Sequence, residues 1–335
     1  MQQFIAPGVS CEGSRPPLPY RLNYRTLTCA KAIEMTTSLP AETRTQRTIT
    51  GVFRGPGFHW VGDGFRVSNY FPSGNNFGHR ISPFFLFDYH APYSHPPTSQ
   101  PNRGVGSHPH RGFETVTLAW EGSVAHHDST GNAGVIGPGD VQWMTAGAGI
   151  LHKEYHEAEY ARRGGTMHMA QIWVNLPRTH KMAAPGYQGI VDADIPRVTL
   201  PNAGGYVRVI AGEYAGVKGA ASTFTKLSML DVQLNERGHA EFTFPAHENV
   251  GLMVLNGEIR INGTTAAQTH DFVLFDNAGE QIVVEASADT HLLVLNGEPI
   301  NEPVVQYGPF VMNTEQEIRQ AITDFNAGKF GQMND

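Results

Sequence analysis

The chain has 335 residues, 40% of them hydrophobic and 16% charged, with a formal net charge of -7. This is a globular composition, long enough for a sizeable core divided between two domains, and it has no basic run of the kind that holds nucleic acid. The two cysteines, Cys11 and Cys29, leave the main body without a disulfide framework, thiolate metal site or cysteine nucleophile, which fits a cytoplasmic protein. No apolar stretch approaches the ~20 residues that would place the chain in a membrane.

Residues 1–45 hold several prolines and little periodicity, so a poorly ordered extension is expected there. Its start, "MQQFIAPGVSCEGSRPPLPYRL", lacks the basic opening and apolar block of a secretory signal. Met35 offers a second starting methionine, and the sequence leaves Met1 and Met35 both open.

From about residue 50 to 310 the pattern is short apolar runs punctuated by Gly, Pro, Asn and Asp, many alternating apolar with polar. That is the signature of antiparallel strands in a barrel or sandwich. "ETVTLAWEGSVAHHD" repeats in form as "NVGLMVLNGEIRING" when Gly122 is laid on Gly257. The expected fold is therefore all-β, with two tandem jelly-roll barrels. The first covers 46–185 and the second 186–335, joined near "LPRTHKMAAPGYQG", a stretch with no strand pattern. Near the C-terminus, Ile318, Ala321, Ile322 and Phe325 form the stripe of an amphipathic α-helix. Thr314 and Glu317 make a capping box before it, and Gly328 a stop after it.

The chemistry-bearing motif is "SHPHRGFET". His108 and His110, two apart on a strand, point to one face, with Pro109 turned away. "AGAGILHKEYHE" supplies a second such pair in His152 and Glu154. Three imidazoles and a carboxylate suit one divalent ion of Fe, Mn, Co, Ni or Zn, with open positions for O2 or a chelating substrate. His156 is a rival ligand one step further along. His168 is read as a core histidine, and the adjacent pair His126 and His127 as structural or solvated. Arg111 and Glu114 orient imidazoles or form a surface ion pair, and Gln142 is a weaker candidate of the same kind. Phe113, Trp143 and Met144 either line an aromatic cavity or fill the core.

"HPHRGFETVT", "GVIGPGDVQWMTAGAGILHKE" and "NEPVVQYGPFVMNTEQEI" resemble the pirin family of the cupin superfamily, and "FRVSNYFPSG" and "HRISPFFLFDY" resemble its opening strands. The resemblance covers residue 50 onward. It implies two tandem cupin domains with a C-terminal helix and one metal ion in the first barrel. The ligands would be His108, His110, His152 and Glu154, and the ion Fe(II), with Ni, Mn, Co or Zn as alternatives. The implied activity is a quercetinase-type dioxygenase that opens a flavonol with O2 and releases carbon monoxide, with Glu154 as its candidate catalytic base. The alternative is a non-enzymatic iron-dependent redox sensor that binds a regulatory protein partner. A monomer without nucleic-acid or membrane contact is expected.

The repeat carries a further expectation. It sets Thr243 and Pro245 against His108 and His110, and Val283 and Glu285 against His152 and Glu154. By that route the second barrel has no metal site.

Overall fold

The computed structural model describes residues 45–100 and 102–333, so the expected extension lies, Thr45 apart, outside the described residues. The chain runs through β1 (Ile49–Arg54), β2 (His59–Val61), β3 (Phe65–Phe71), β4 (Phe84–His95), β5 (Gly104–His110), β6 (Phe113–Glu121), β7 (Val124–Asp128) and β8 (Ala133–Ile136). It continues through β9 (Val141–Thr145), β10 (Ile150–His156), the short helix α1 (Ala158–Arg163), β11 (Gly165–Asn175) and β12 (Gly186–Ile190). The second half holds β13 (Arg197–Thr199), β14 (Gly205–Ala211), β15 (Glu213–Tyr214), β16 (Val217–Lys218), β17 (Leu227–Leu234), β18 (His239–Thr243), β19 (Asn249–Asn256) and β20 (Glu258–Ile261). It ends with β21 (Thr265–Gln268), β22 (Asp271–Phe275), β23 (Gln281–Ala286), β24 (Thr290–Gly297), β25 (Val305–Tyr307), β26 (Phe310–Met312) and α2 (Glu315–Asn326).

Each half pairs a seven-stranded sheet with a four-stranded one. The first has β12-β9-β6-β11-β4-β3-β2 with β5-β10-β7-β8, and the second β1-β22-β19-β24-β17-β14-β13 with β18-β23-β20-β21. The two orders correspond strand for strand, which establishes the internal repeat. Gly122 turns β6 into β7 at φ +88, and Gly257 turns β19 into β20 at φ +94, both in the region where glycine is favoured. Asp140 Oδ2 accepts from the Gly137 amide, and Asp271 Oδ2 from the Gln268 amide, each at 2.9 Å. The same carboxylate-capped turn therefore enters β9 and β22. The edge strands cross over: β1 pairs with β22 of the second barrel, and β12 with β9 of the first. The joining segment, expected to lack a strand, thus contains one. Its glycines suit an edge position, where side-chain packing is needed on one side only.

The two large sheets meet across a shared core. Phe84, Phe87, Val116, Leu118, Trp143 and Ile172 from the first pack with Met229, Met253, Phe272, Leu293 and Leu295 from the second. Each fully buried aromatic or aliphatic side chain contributes about 1.5–3 kcal/mol. The second barrel's interior is apolar throughout, with Phe242, Ile282 and Val284 facing Val207, Leu230 and Val294. The repeat alignment is out by one residue here. Thr243 and Glu285 point outward, while Phe242 and Val284 occupy the inward positions. With a side-chain period of two, one slip exchanges the faces.

The first barrel is divided. One end is apolar, with Phe65, Val67, Ala119, Val124, Met167 and Met169. The other end is polar and is described below. Helix α2 matches its sequence signals: Thr314 Oγ1 accepts from the Glu317 amide at 3.2 Å, and Gly328 follows with φ +72. The Glu317 carboxylate reaches back to the Asn313 amide at 2.9 Å. Ile318 and Ala321 pack against Phe310, Met312 and Phe330. Among the described residues no helix is long and apolar enough to cross a membrane.

Candidate metal centre

Three adjacent strands of the small sheet, β5, β10 and β7, supply the imidazoles. In the β5–β10 ladder His152 lies opposite His108 and Ile150 opposite His110. A bulge between His152 and Glu154 then resets the register. The alternation of β10 buries Ile150, His152, Glu154 and His156 on one face, as a period of two requires. Ligand atoms of His108, His110 and His152 all lie within 4.8 Å of one another, and those of His126, His152 and Glu154 do so as well. His152 is the shared member. The four expected residues are thus brought together as two overlapping groups, with His126 as an addition.

The Nδ1 of His108 lies 2.8 Å from the Gly106 carbonyl, which leaves Nε2 as the free lone pair. His110 and His152 are buried, and His110 Nδ1 and His152 Nε2 have no hydrogen-bond partner. Burial pulls both imidazoles well below their ordinary pKa, and the neighbouring His108 lowers them further. Both are neutral at neutral pH, as metal ligation requires.

Glu154 is 4% exposed and is held from the opposite sheet. Gln142, Thr117 and Gln171 stand in direct register across β9, β6 and β11. Gln142 Nε2 and Thr117 Oγ1 donate to Oε1 at 3.0 and 3.3 Å, and Gln171 Nε2 donates to Oε2 at 2.7 Å. These donors are neutral, so the buried carboxylate gains no compensating charge from them. Orphaned imidazole nitrogens beside such a carboxylate fit a divalent cation, which would satisfy both.

Other candidates fall elsewhere. His156 turns its Nε2 to the Gly64 carbonyl at 2.8 Å and its ring to His95. His168 takes the Tyr89 hydroxyl at 2.9 Å, a satisfied core histidine. Arg111 neither orients an imidazole nor lies on the surface. It is buried, donates from Nε to the Ala148 carbonyl at 2.7 Å and pairs with Asp324 of α2 at 2.9 Å. Glu114 faces away from the imidazoles, accepts from Thr145 Oγ1 at 2.8 Å, and is pushed up to about 7 by burial. Trp143 belongs to the inter-barrel core and Met144 to a small cluster with Ala146 and Ile150. Phe113 does reach the site, with its ring 5.0 Å from His110 and 4.4 Å from Trp173.

His126 was missed because adjacent histidines promise opposite faces without saying which one points inward. Its ring is buried, 5.3 Å from that of His152 and stacked 4.9 Å from Tyr187 of β12. The readable signal was the spacing of His126 and Asp128. Gln142 and Gln171 carried another, as polar residues inside otherwise apolar strands.

Two jelly-roll barrels, one apolar inside and one with a buried histidine–carboxylate group able to hold a divalent ion, define a bicupin. The Pirin profile matches residues 64–174, and the Pirin C-terminal cupin domain profile matches residues 229–331. Pirin of Mus musculus is 40% identical over 256 residues, which cover 75% of this chain and 83% of that protein. A Pseudomonas aeruginosa protein named "putative quercetin 2,3-dioxygenase" is 49% identical over 284 residues, 85% of this chain and 98% of that one. The crystal structure of quercetin 2,3-dioxygenase from Acinetobacter baumannii superimposes with a TM-score of 0.82 at 47% identity, covering 87% of this chain and all of that one. The chain belongs to the pirin family.

Proposed function

We propose that the chain is a metal-dependent dioxygenase that opens the ring of a flavonol such as quercetin, taking up O2 and releasing carbon monoxide. The observation that carries this reading is the group of orphaned, neutral imidazoles beside a buried carboxylate. The names of the P. aeruginosa and A. baumannii relatives point the same way. His108, His110, His152 and Glu154 hold the ion in this account, with Fe(II) the expected metal and Ni, Mn, Co or Zn able to take its place. A divalent ion bound there supplies Lewis-acid activation of the flavonol 3-hydroxyl and open positions for O2.

The protein's own groups do the rest. Glu154 accepts the hydroxyl proton as general base. Gln142, Gln171 and Thr117 fix its carboxylate so that it meets the substrate in one orientation. Phe113 and Trp173 give the site an aromatic wall beside His110, suited to a flat ring system. His108 is the one half-buried imidazole of the four proposed ligands and marks the side open to substrate.

The test is anaerobic reconstitution with Fe(II), Ni(II), Mn(II) or Co(II), followed by quercetin and O2. Loss of flavonol absorbance with stoichiometric carbon monoxide is expected with at least one metal. A fully loaded protein that turns over quercetin with none of them would overturn the dioxygenase.

A further inference from the structure

Behind His152, on the side away from His108 and His110, stands a chain of two more polar groups. His126 Nδ1 lies 3.4 Å from His152 Nδ1, and His126 Nε2 lies 3.3 Å from Asp128 Oδ2. All three side chains are buried. We propose that Asp128, acting through His126, fixes the tautomer of His152 and so presents the His152 Nε2 lone pair to the metal site. The inference deepens the metal-centre reading above and rests on it for its functional meaning.

An ionised carboxylate only accepts. Asp128 is surrounded by donors, the Thr130 hydroxyl and the Thr130 and Asn132 amides at Oδ1 and Asn132 Nδ2 at Oδ2, 3.3 Å away, so it acts as an acceptor throughout. Asp128 therefore requires the proton of neutral His126 to sit on Nε2. The Nδ1 of His126 is then a lone pair, and it accepts from His152 Nδ1–H. With that proton placed, His152 Nε2 is bare. This is the nitrogen left without a hydrogen-bond partner, and His152 joins His108 and His110 in the candidate ligand group. A ligand histidine held through its other nitrogen in this way is oriented and made more basic, and losing such support costs about 10–100-fold in metal affinity.

The loop after β7 makes the carboxylate's orientation specific. Asp128 Oδ1 accepts from the Thr130 amide at 2.9 Å, the Thr130 hydroxyl at 2.6 Å and the Asn132 amide at 3.1 Å. Only an oxygen fits there. In Asp128→Asn the amide oxygen must take that position, which turns the NH2 toward His126. The relay then reverses: His126 Nε2 accepts, His126 Nδ1–H donates to His152, and His152 carries its proton on Nε2.

The experiment is nitrogen-15 NMR of the histidine rings in metal-free protein, paired with metal affinity from chelator competition. The wild type should show His152 protonated on Nδ1. Asp128→Asn should show it protonated on Nε2 and should bind the metal about 10–100-fold more weakly. His126→Gln, whose amide oxygen can still accept from His152 Nδ1–H, should retain more affinity than Asp128→Asn. An Nε2–H tautomer in wild-type protein would overturn the relay, and so would an Asp128→Asn variant with tautomer and affinity unchanged. Direct ligation of the added metal by His126 nitrogen would overturn it as well. The predicted tautomers in a wild-type protein that takes up no metal would support the relay and sink the metal-centre reading instead.

Discussion

Arg111, the residue after His110, is held in a buried ion pair 2.9 Å from Asp324 of the C-terminal helix. Its guanidinium also lies over the Phe330 ring at 4.7 Å. The last helix of the chain therefore braces the end of the strand that carries two of the proposed metal ligands. Contacts with Lys329, Arg111 and Gln320 keep the Asp324 carboxylate well below its ordinary pKa. The contribution of a depressed acid is present above its unfolded pKa and fades as pH falls through the folded value, so this brace is intact at neutral pH. Asp324→Ala should weaken metal binding several-fold while His152 keeps its tautomer, as chelator competition and ring NMR would report.

The row Gln142–Thr117–Gln171 is expected to matter through Glu154. Replacing Gln171, the donor 2.7 Å from Oε2, with Leu should cost about 10–100-fold in metal affinity, measured by competition. Glu154→Gln should separate the carboxylate's two roles. Turnover should fall about 100-fold or more, a general base being lost, while metal retention falls less. Equal losses would make Glu154 a ligand only.

Glu114 gives a prediction with a definite pH sign. Burial raises it from 4.5 to about 7. Below pH 4.5 the carboxyl is protonated in both folded and unfolded chains. Between 4.5 and 7 the unfolded chain ionises first, so stability is lost as pH rises. Glu114→Gln has no such loss. Chemical denaturation should find the variant more stable than wild type at pH 8, by about 3 kcal/mol, with the difference gone near pH 4. A variant of unchanged stability at pH 8 would mean that the carboxylate is accommodated charged.

Asp231 latches the two barrels. Its buried carboxylate accepts from Arg208 and His291 of the second barrel and from Trp120 Nε1 of the first, the last at 3.2 Å. Asp231→Ala removes this shared acceptor from three donors, although Arg208 keeps its pair with Asp192 at 2.8 Å, and should cost about 1–3 kcal/mol in a denaturation midpoint experiment. The proposed metal group lies in the first barrel's interior, so metal affinity in the folded variant should be unchanged.

Much of this is legible in the sequence alone. The i, i+2 spacings of His108 with His110 and of His152 with Glu154 follow from strand geometry alone. The Thr314 cap and the Gly122–Gly257 repeat are equally local signals. What stayed hidden depended on pairing between distant strands. Nothing local says that Glu154 faces a row of donors built from β9, β6 and β11. Arg111 reads as an imidazole-orienting group or half of a surface ion pair until α2 brings Asp324 to it. The one-residue slip at Thr243 shows the limit of aligning repeats by their turns: the register between Gly257 and β18 passes through loops whose length the pattern does not constrain.

The most direct test of the account is metal content after anaerobic loading with Fe(II) and removal of excess ion. Wild-type protein should hold about one ion per chain, and a folded His110→Ala/His152→Ala variant close to none. Two ions in the wild type, or one retained in the double variant, would contradict a single centre built on these histidines.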